Sequence, residues 1–324
     1  MKSSRKKKKV TAILMADRHL RERPPLCRTD NFFLAMVKKL EFIRDLQNKH
    51  DCPVWEAGDV FDKWKSSPFL LALALRMMKN VTAIAGQHDL PNHNLKYYDK
   101  SSLAVLESAG NVSVIRTDQL SEERFNEYMD IGSTTTLDLV GFPYGTTPHP
   151  ILYPKIGCRY ICLIHELIYQ KENPPFPGAE KVGTTDRGIF KRLSGYDLII
   201  SGDNHHSFSL ESRGRLLVNP GTMLRTKADQ ADHVPRVALY YEEDNSIKWV
   251  ELPHEKGVIS REHIDEAAER DEHIEAFLEG LTADVEIGLN YRENLERYLD
   301  TNNVSNSVRE IVWEAVDEGR VSNG

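Results

Sequence analysis

From position 10 to about position 202, short apolar runs alternate with longer amphipathic stretches. The runs at 10–16, 54–57, 81–85, 112–115, 137–142, 160–164 and 197–201 are rich in Val, Ile and Leu, and their brevity predicts strands. Between them, residues 31–49, 68–79, 100–108 and 186–193 repeat apolar side chains at helical spacing. Strands feeding helices in this order describe an α/β domain. A run such as Ile161-Cys162-Leu163-Ile164, with no polar residue to mark a wet face, implies a sheet covered on both sides.

The pattern changes after Gly202. Segments 208–212, 216–218, 237–241 and 247–251 read as antiparallel strands joined by turns containing Gly or Asn. From Ser260 the chain turns helical: Ser260, Glu262 and His263 suit a helix start, and Ile264, Ala268, Phe277, Leu278 and Leu281 recur at helical spacing. Two further helices are expected at 289–299 and 304–316. With 324 residues there is enough chain for one large domain and a smaller addition. The division expected is a flexible basic tail at 1–9, a main domain at 10–252 and an acidic helical region at 253–324.

Charge supports that division. The net charge is -7, but residues 253–324 alone carry 18 Asp and Glu against 7 Lys and Arg, leaving 35 basic against 31 acidic residues in 1–252. A mildly basic body is compatible with a polyanionic partner, and the acidic tail should stay away from one. The basic run Arg5 to Lys9 before the apolar residues 10–16 has the order of a signal peptide, but the apolar stretch is too short and Asp17-Arg18-His19 ends it without a cleavage site. No segment approaches the roughly 20 apolar residues of a membrane span. Cys27, Cys52, Cys158 and Cys162 lack metal-site or disulfide spacing and read as buried thiols. A soluble cytoplasmic protein is expected, in the host-cell cytoplasm if its origin is viral.

Five clusters carry the candidate chemistry, each at the C-terminal end of an expected strand, where α/β folds gather side chains into one site. They are Asp17-x-His19, Gly58-Asp59-x-x-Asp62, Gly86-Gln87-His88-Asp89, His165, and Gly202-Asp203-x-His205. Two further phrases follow strands, Gly141-Phe142-Pro143-Tyr144-Gly145 and Asn219-Pro220-Gly221-Thr222. Singly, each reads as a turn or a helix cap. Five in sequence, each rich in carboxylate or imidazole, point to metal binding.

The ordered set resembles the calcineurin-like metallophosphoesterases, over about residues 10–252. Within them it looks most like the SbcD-type subunit of double-strand-break repair nucleases, in its compact bacteriophage form. The narrower likeness rests on Asp17-Arg18-His19-Leu20, Arg28 with Asp30, Ala57-Gly58-Asp59-Val60-Phe61-Asp62, His88-Asp89-Leu90-Pro91, and Asn219-Pro220-Gly221-Thr222 with Arg225. The resemblance implies a four-layer fold, a two-sheet α/β sandwich flanked by helices, with the helical region appended. It implies two divalent metal ions: the first on Asp17, His19, Asp59 and His205, the second on Asp59, Gln87, His165 and Asp203, with Asp59 shared. Such a pair, roughly 3.5–4 Å apart, binds a phosphodiester and acidifies a water for attack. His88 would act on the phosphate or the leaving oxygen, with Asp89 setting its tautomer. Arg18, Tyr144 and Arg225 are candidate substrate contacts.

This sequence departs from the family pattern at two positions: Gln87 stands for the usual asparagine and Asp203 for the first histidine of Gly-His-x-His. Both fall on the second metal, and a harder anionic ligand there favours Mn²⁺, or Mg²⁺, over Zn²⁺. A register alternative places Asn204 and His206 in the site instead.

The function expected is metal-dependent DNA nuclease activity, exonucleolytic or endonucleolytic, in DNA repair or recombination. The resemblance also implies a homodimer and an SbcC-type ATPase bound through the C-terminal helices. Two alternatives stay open, a phosphomonoesterase or cyclic-nucleotide phosphodiesterase with a small substrate, and a binding subunit with weakened catalysis. Of the remaining candidates, Trp55 reads as core, while Trp64, Tyr144 and His93 lie on loops beside the expected cleft; residues 169–184, with Asn173-Pro174-Pro175-Phe176-Pro177-Gly178, read as a rigid loop.

Overall fold

The structure is a computed structural model, and it describes residues 8–116, 136–262, 273–274 and 291–321. The described chain forms two compact units, 1–260 and 261–324.

In the first unit, strand β1 (Ala12–Met15) is followed by α1 (Phe32–His50), β2 (Val54–Glu56), α2 (Pro68–Met77), β3 (Val81–Ala83), α3 (Ser102–Ser108) and β4 (Val112–Val114). These four strands pair in parallel, as helical crossovers require. The sheet is completed by β12 (Arg236–Tyr241), antiparallel to β1, and β13 (Ser246–Glu251), in the order β13-β12-β1-β2-β3-β4. A second sheet has the order β10-β11-β9-β6-β5, built from β5 (Thr136–Phe142), β6 (Cys158–His165), β9 (Leu198–Gly202), β10 (Phe208–Ser212) and β11 (Arg215–Asn219). Between its members run β7 (Ile168–Tyr169), β8 (Thr184–Thr185) and α4 (Asp186–Arg192).

The two sheets face each other, and side chains alternate along each strand to fill three apolar layers. On β1, Ala12 and Leu14 enter the layer between the sheets, with Trp55, Ile161, Leu163, Ile200 and Tyr240. Ile13 and Met15 point the other way, toward Met36, Leu40 and Ile43 of α1 and Leu70 and Leu73 of α2. On the far face of the second sheet, Cys162 and Ile164 meet Ile189 and Phe190 of α4. The result is a four-layer helix-sheet-sheet-helix sandwich, as expected. All four cysteines are free and three are buried, and Trp55 is core.

The differences from expectation are local. Residues 169–184, read as a loop, are closed at their base by parallel pairing of β7 with β8. Residues 84 and 85 leave the ladder of β3, and the chain continues as three short 3₁₀ segments (Gln87–Asp89, Pro91–His93 and Leu95–Lys100) where no regular element was expected. Residues 253–260, assigned by charge to the tail, pack on the first unit: Val258 is buried, Thr29 N donates to Val258 O (3.1 Å) and Ser260 N to Cys27 O (2.8 Å).

In the second unit, α5 (Tyr291–Thr301) and α6 (Asn306–Val321) stand where two helices were expected. The expected helix through Ile264, Ala268, Phe277, Leu278 and Leu281 lies outside the described residues, as does most of the basic tail. Among the described residues no helix is long and apolar enough to cross a membrane.

Candidate metal centre

His165 is the last residue of β6 and every other expected ligand sits just past the C-terminal end of a strand, where the backbone is forced into unusual conformations. Asp17, His19, Asp59 and Asp203 all have positive φ, between 47° and 77°. Non-glycine residues rarely adopt this region, and its occupants gather at functional sites. Two glycines permit the crowding. A Cβ on Gly58, itself at φ 89°, would lie 2.4 Å from His165 Nδ1, and one on Gly86 would lie 2.2 Å from Asp59 Oδ1. No larger residue fits at either position.

These turns bring together three overlapping groups, Asp17 with His19 and His205, His19 with Asp59 and His88, and Asp17 with Asp59 and His165. Within each group the candidate ligand atoms lie within 4.8 Å of one another. Asp59 is fully buried at the centre, its Oδ2 lying 3.4 Å from His165 Nε2 and 3.8 Å from His19 Nε2. Its Oδ1 accepts the backbone N–H of His88 (2.8 Å). Gln87 joins through Asp203: Gln87 Nε2 donates to Asp203 Oδ1 (2.6 Å), and Asp203 N donates to Asp17 Oδ1 (3.1 Å). Asp203 therefore orients Gln87 and stands outside the three groups.

The test of fit is the state of the lone pairs. Asp17 Oδ2, Asp59 Oδ2, Gln87 Oε1, His165 Nε2 and His19 Nδ1 are buried with no hydrogen-bond partner. Leaving one such group buried costs on the order of 1–3 kcal/mol, so several together demand an occupant. Four of the five can present lone pairs to a cation while their remaining atoms are fixed by the protein. His165 Nδ1 donates to Ala57 O (2.5 Å), which turns Nε2 toward Asp59, the arrangement that prepares imidazole for a metal once Nε2 gives up its proton. The donor set fits divalent cations.

The electrostatics agree. Burial pushes Asp17 well above the ordinary carboxylate range, and Asp59 and Asp203 push it further. Asp59 is held below its ordinary range: burial opposes its charge, but His165 and His19 outweigh that. Burial also works against a charged His165, yet Asp59, Asp17 and Asp203 raise it to about 10. Burial takes His19 down to about 3 and His205 down to about 4, so both offer neutral rings. The buried carboxylates crowd against the neutral rings of His19 and His205 and draw a proton onto His165, and divalent ions would supply that positive charge instead.

His88 lies within the same reach of His19 and Asp59, and its ring stands edge-on to His19 with centroids 4.9 Å apart. Its Nδ1 is held by Asp62 O (2.8 Å). That corrects the role expected of Asp89. The Asp89 carboxylate instead accepts backbone N–H groups from Val60 (3.2 Å), Phe61 (3.0 Å) and Gly86 (3.0 Å), pinning the second and third motifs together. The tight 3₁₀ turn Gln87–Asp89 sends the two neighbouring side chains different ways.

The register alternative also falls. Asn204 Nδ2 donates to Ile168 O (2.8 Å), and His206 is exposed. His205 is the one grouped with Asp17 and His19. Of the expected substrate contacts, Tyr144 remains at the rim, 36% exposed, its ring 6.5 Å from His165 and 6.4 Å from the exposed His93. Arg18 and Arg225 are structural: Arg18 Nε is buried against both oxygens of Glu56 (2.7 and 2.8 Å), and the buried Arg225 donates to Ala231 O and Glu255 O.

Several supporting groups were not foreseen. Glu56 is one, although a carboxylate inside the apolar run Val54-Trp55-Glu56-Ala57 is a usable signal of a buried partner. The phrase Asn219-Pro220-Gly221-Thr222 proves to be a brace. Asn219 Nδ2 donates to Asn204 O and His206 O (both 2.6 Å), and Thr222 Oγ1 donates to Asp17 O (3.0 Å). Gln230, buried and bonded to His205 Nδ1 (3.1 Å), carries no sequence signal.

No protein-family model matches the chain, and no curated protein matches it. Among solved structures it is similar to a novel archaeal phosphodiesterase, with 13% sequence identity, a TM-score of 0.36, and coverage of 74% of this chain and 99% of the other.

Proposed function

We propose that this chain is a metal-dependent phosphoesterase, and more narrowly a nuclease that hydrolyses phosphodiester bonds of DNA. The observation that carries the reading is the set of buried, unpartnered lone pairs around the shared carboxylate of Asp59. Asp17, His19, Asp59 and His205 would hold one divalent ion; Asp59, Gln87, His165 and Asp203 would hold the other, with Asp203 Oδ1 also fixing the amide of Gln87. Bound there, the two ions supply Lewis-acid stabilisation of a phosphate and acidify water at neutral pH. The chain's own residues do the rest. His88, anchored through Nδ1, keeps Nε2 for exchanging a proton with the leaving oxygen. Tyr144 and His93 offer rings at the rim on which a base can stack. The hard donors in the second site favour Mn²⁺ or Mg²⁺ over Zn²⁺.

DNA as substrate, a homodimer and an SbcC-type ATPase held by the C-terminal helices are part of the proposal, and the motif resemblance supports them. The test is incubation with Mn²⁺ and labelled duplex DNA, single-stranded DNA or a chromogenic phosphodiester, each beside an Asp59→Ala control. Cleavage of DNA that Asp59→Ala abolishes is the expected result. Cleavage of the small ester alone would move the assignment to a small-substrate phosphodiesterase.

A further inference from the structure

An excess of positive charge lies inside the first unit, on the buried face of α1, and none of it belongs to the metal centre. Lys39 is placed there by the helical spacing that also buries Phe32, Met36, Leu40 and Ile43, and it is only 2% exposed. Side chains of an α-helix lean toward its N-terminus, so the Lys39 stem carries its ammonium toward the first turn. Arg28 lies at that turn, its guanidinium 5.2 Å from the ring centroid of Phe32. Arg28 Nη1 donates to Arg225 O (3.2 Å), which brings in a second buried guanidinium.

Negative charge does not match these three cations. Both oxygens of Asp30 are taken by Arg28, through Nε (2.7 Å) and Nη2 (2.5 Å). Arg225 has neutral partners: two of its five N–H groups go to Ala231 O and Glu255 O. Among the described residues Lys39 has neither a hydrogen bond nor an ion pair. A covered charge without partners is among the costliest features of a fold, so the ammonium demands an acceptor. Burial takes Lys39 down to about 8, with Arg28 and Arg225 adding to the effect against Asp30 and Glu255, so at neutral pH it stays charged. The Asp30 side chain is 13% exposed, which gives the cluster an opening to solvent.

We infer that Lys39 and Arg225 form a binding site for a small oxyanion of the phosphate class, entered beside Asp30. The ammonium supplies a point charge and the guanidinium a planar fork, and a tetrahedral oxyanion has acceptors enough for both. Two sources offer that head group, free inorganic phosphate and the terminal phosphate of a nucleotide. A phosphodiester inside a chain carries a sugar on either side and does not reach side chains that are 2–3% exposed. The bound anion would tie α1 to the segments that carry Arg28 and Arg225. This site is separate from phosphoester hydrolysis and does not depend on it.

Titration calorimetry on the full chain reads the site directly, with a chelator present so that no metal ion takes up the phosphate. Inorganic phosphate and sulfate should each bind once per chain, and chloride at matched ionic strength should not displace them. Lys39→Met keeps the apolar stem and removes the charge, and it should weaken phosphate at least about tenfold. Lys39→Gln, a second uncharged variant, should do the same. Phosphate should also raise the urea midpoint of the wild type and leave that of Lys39→Met where it was. A deoxynucleoside 5′-monophosphate separates the two sources: affinity equal to that of phosphate assigns the site to a nucleotide end, and loss of binding assigns it to the free ion. No heat with phosphate, displacement by chloride, or equal affinity in the wild type and a folded Lys39 variant would overturn this inference. The phosphoesterase reading, which is tested with Mn²⁺ and DNA, would stand in each of those cases.

Discussion

At the residue scale, the site is held by side chains whose whole hydrogen-bonding capacity is used on backbone. Asp89 satisfies three N–H groups from two different motifs, and those groups flank Asp59. Asp89→Asn leaves a single acceptor oxygen and puts an NH₂ against donors. It should cost about 2–3 kcal/mol in a urea unfolding experiment and weaken Mn²⁺ binding at least tenfold, because Asp59 moves with the loop. An unchanged urea midpoint would show that the three bonds are dispensable. His233 gives a pH prediction away from the ligands. Its Nε2 donates to Thr222 O (2.9 Å), and burial brings it down to about 4, with His206, Arg236 and Arg225 adding to the effect against the Thr222 bond. The folded state keeps this ring neutral, whereas the unfolded chain protonates it near 6.5. Stability from this group is complete above about pH 6.5 and is lost as pH falls toward 4. His233→Gln, which retains an N–H donor, should flatten the pH dependence of unfolding in that window by at most about 1.4 kcal/mol per pH unit.

At the scale of elements, the strands and helices were legible because apolar period and strand length coincide with what four layers require. β1 alternates between two cores, and the stretch 160–164 of β6 is apolar on both faces because both are covered. The ligand-bearing turns were legible for a related reason, since Asp, His and Gly at successive strand ends have no common structural explanation. What stayed hidden depends on pairings distant in sequence: Arg18 with Glu56, Gln230 with His205, and Asn219 with the loop after β9. Asp89 misled through adjacency, because the tight turn separates it from His88. The brace after β11 yields a prediction of its own. Asn219→Ala frees two carbonyls, Asn204 O and His206 O, and removes the acceptor for Ser201 Oγ (3.0 Å). Amide exchange across 203–206 should accelerate by at least tenfold while exchange in β1 and β6 stays unchanged. Uniform acceleration would mean that Asn219 supports the whole sheet, not the loop that carries His205.

At the scale of the molecule, the acidic boundary and the structural boundary fall at different places, and the difference can be measured. Net charge divides the chain near 253, but the first unit continues to 260. In the final eight residues of that unit, Val258 is buried, two backbone bonds reach Cys27 and Thr29, and Glu255 O receives Arg225. Arg225 O in turn accepts from Arg28 Nη1 (3.2 Å), whose other nitrogens hold Asp30. A chain ending at 252 should therefore lose on the order of 3 kcal/mol or more, as two buried guanidinium groups lose support and the 27–29 segment loses its neighbour. One ending at 260 should unfold at the same denaturant concentration as the first unit of the intact chain. It should also bind Mn²⁺ and hydrolyse a small phosphodiester at the intact chain's rate, since every ligand lies before 206. If the C-terminal helices serve to dock an ATPase, whose recognition would fall to exposed apolar positions such as Tyr291, Val308 and Ile311, the 260-residue chain should fail to co-purify with that partner. Retention of the complex by the shortened chain would place the docking surface on the sandwich and leave the acidic helices without the role proposed for them.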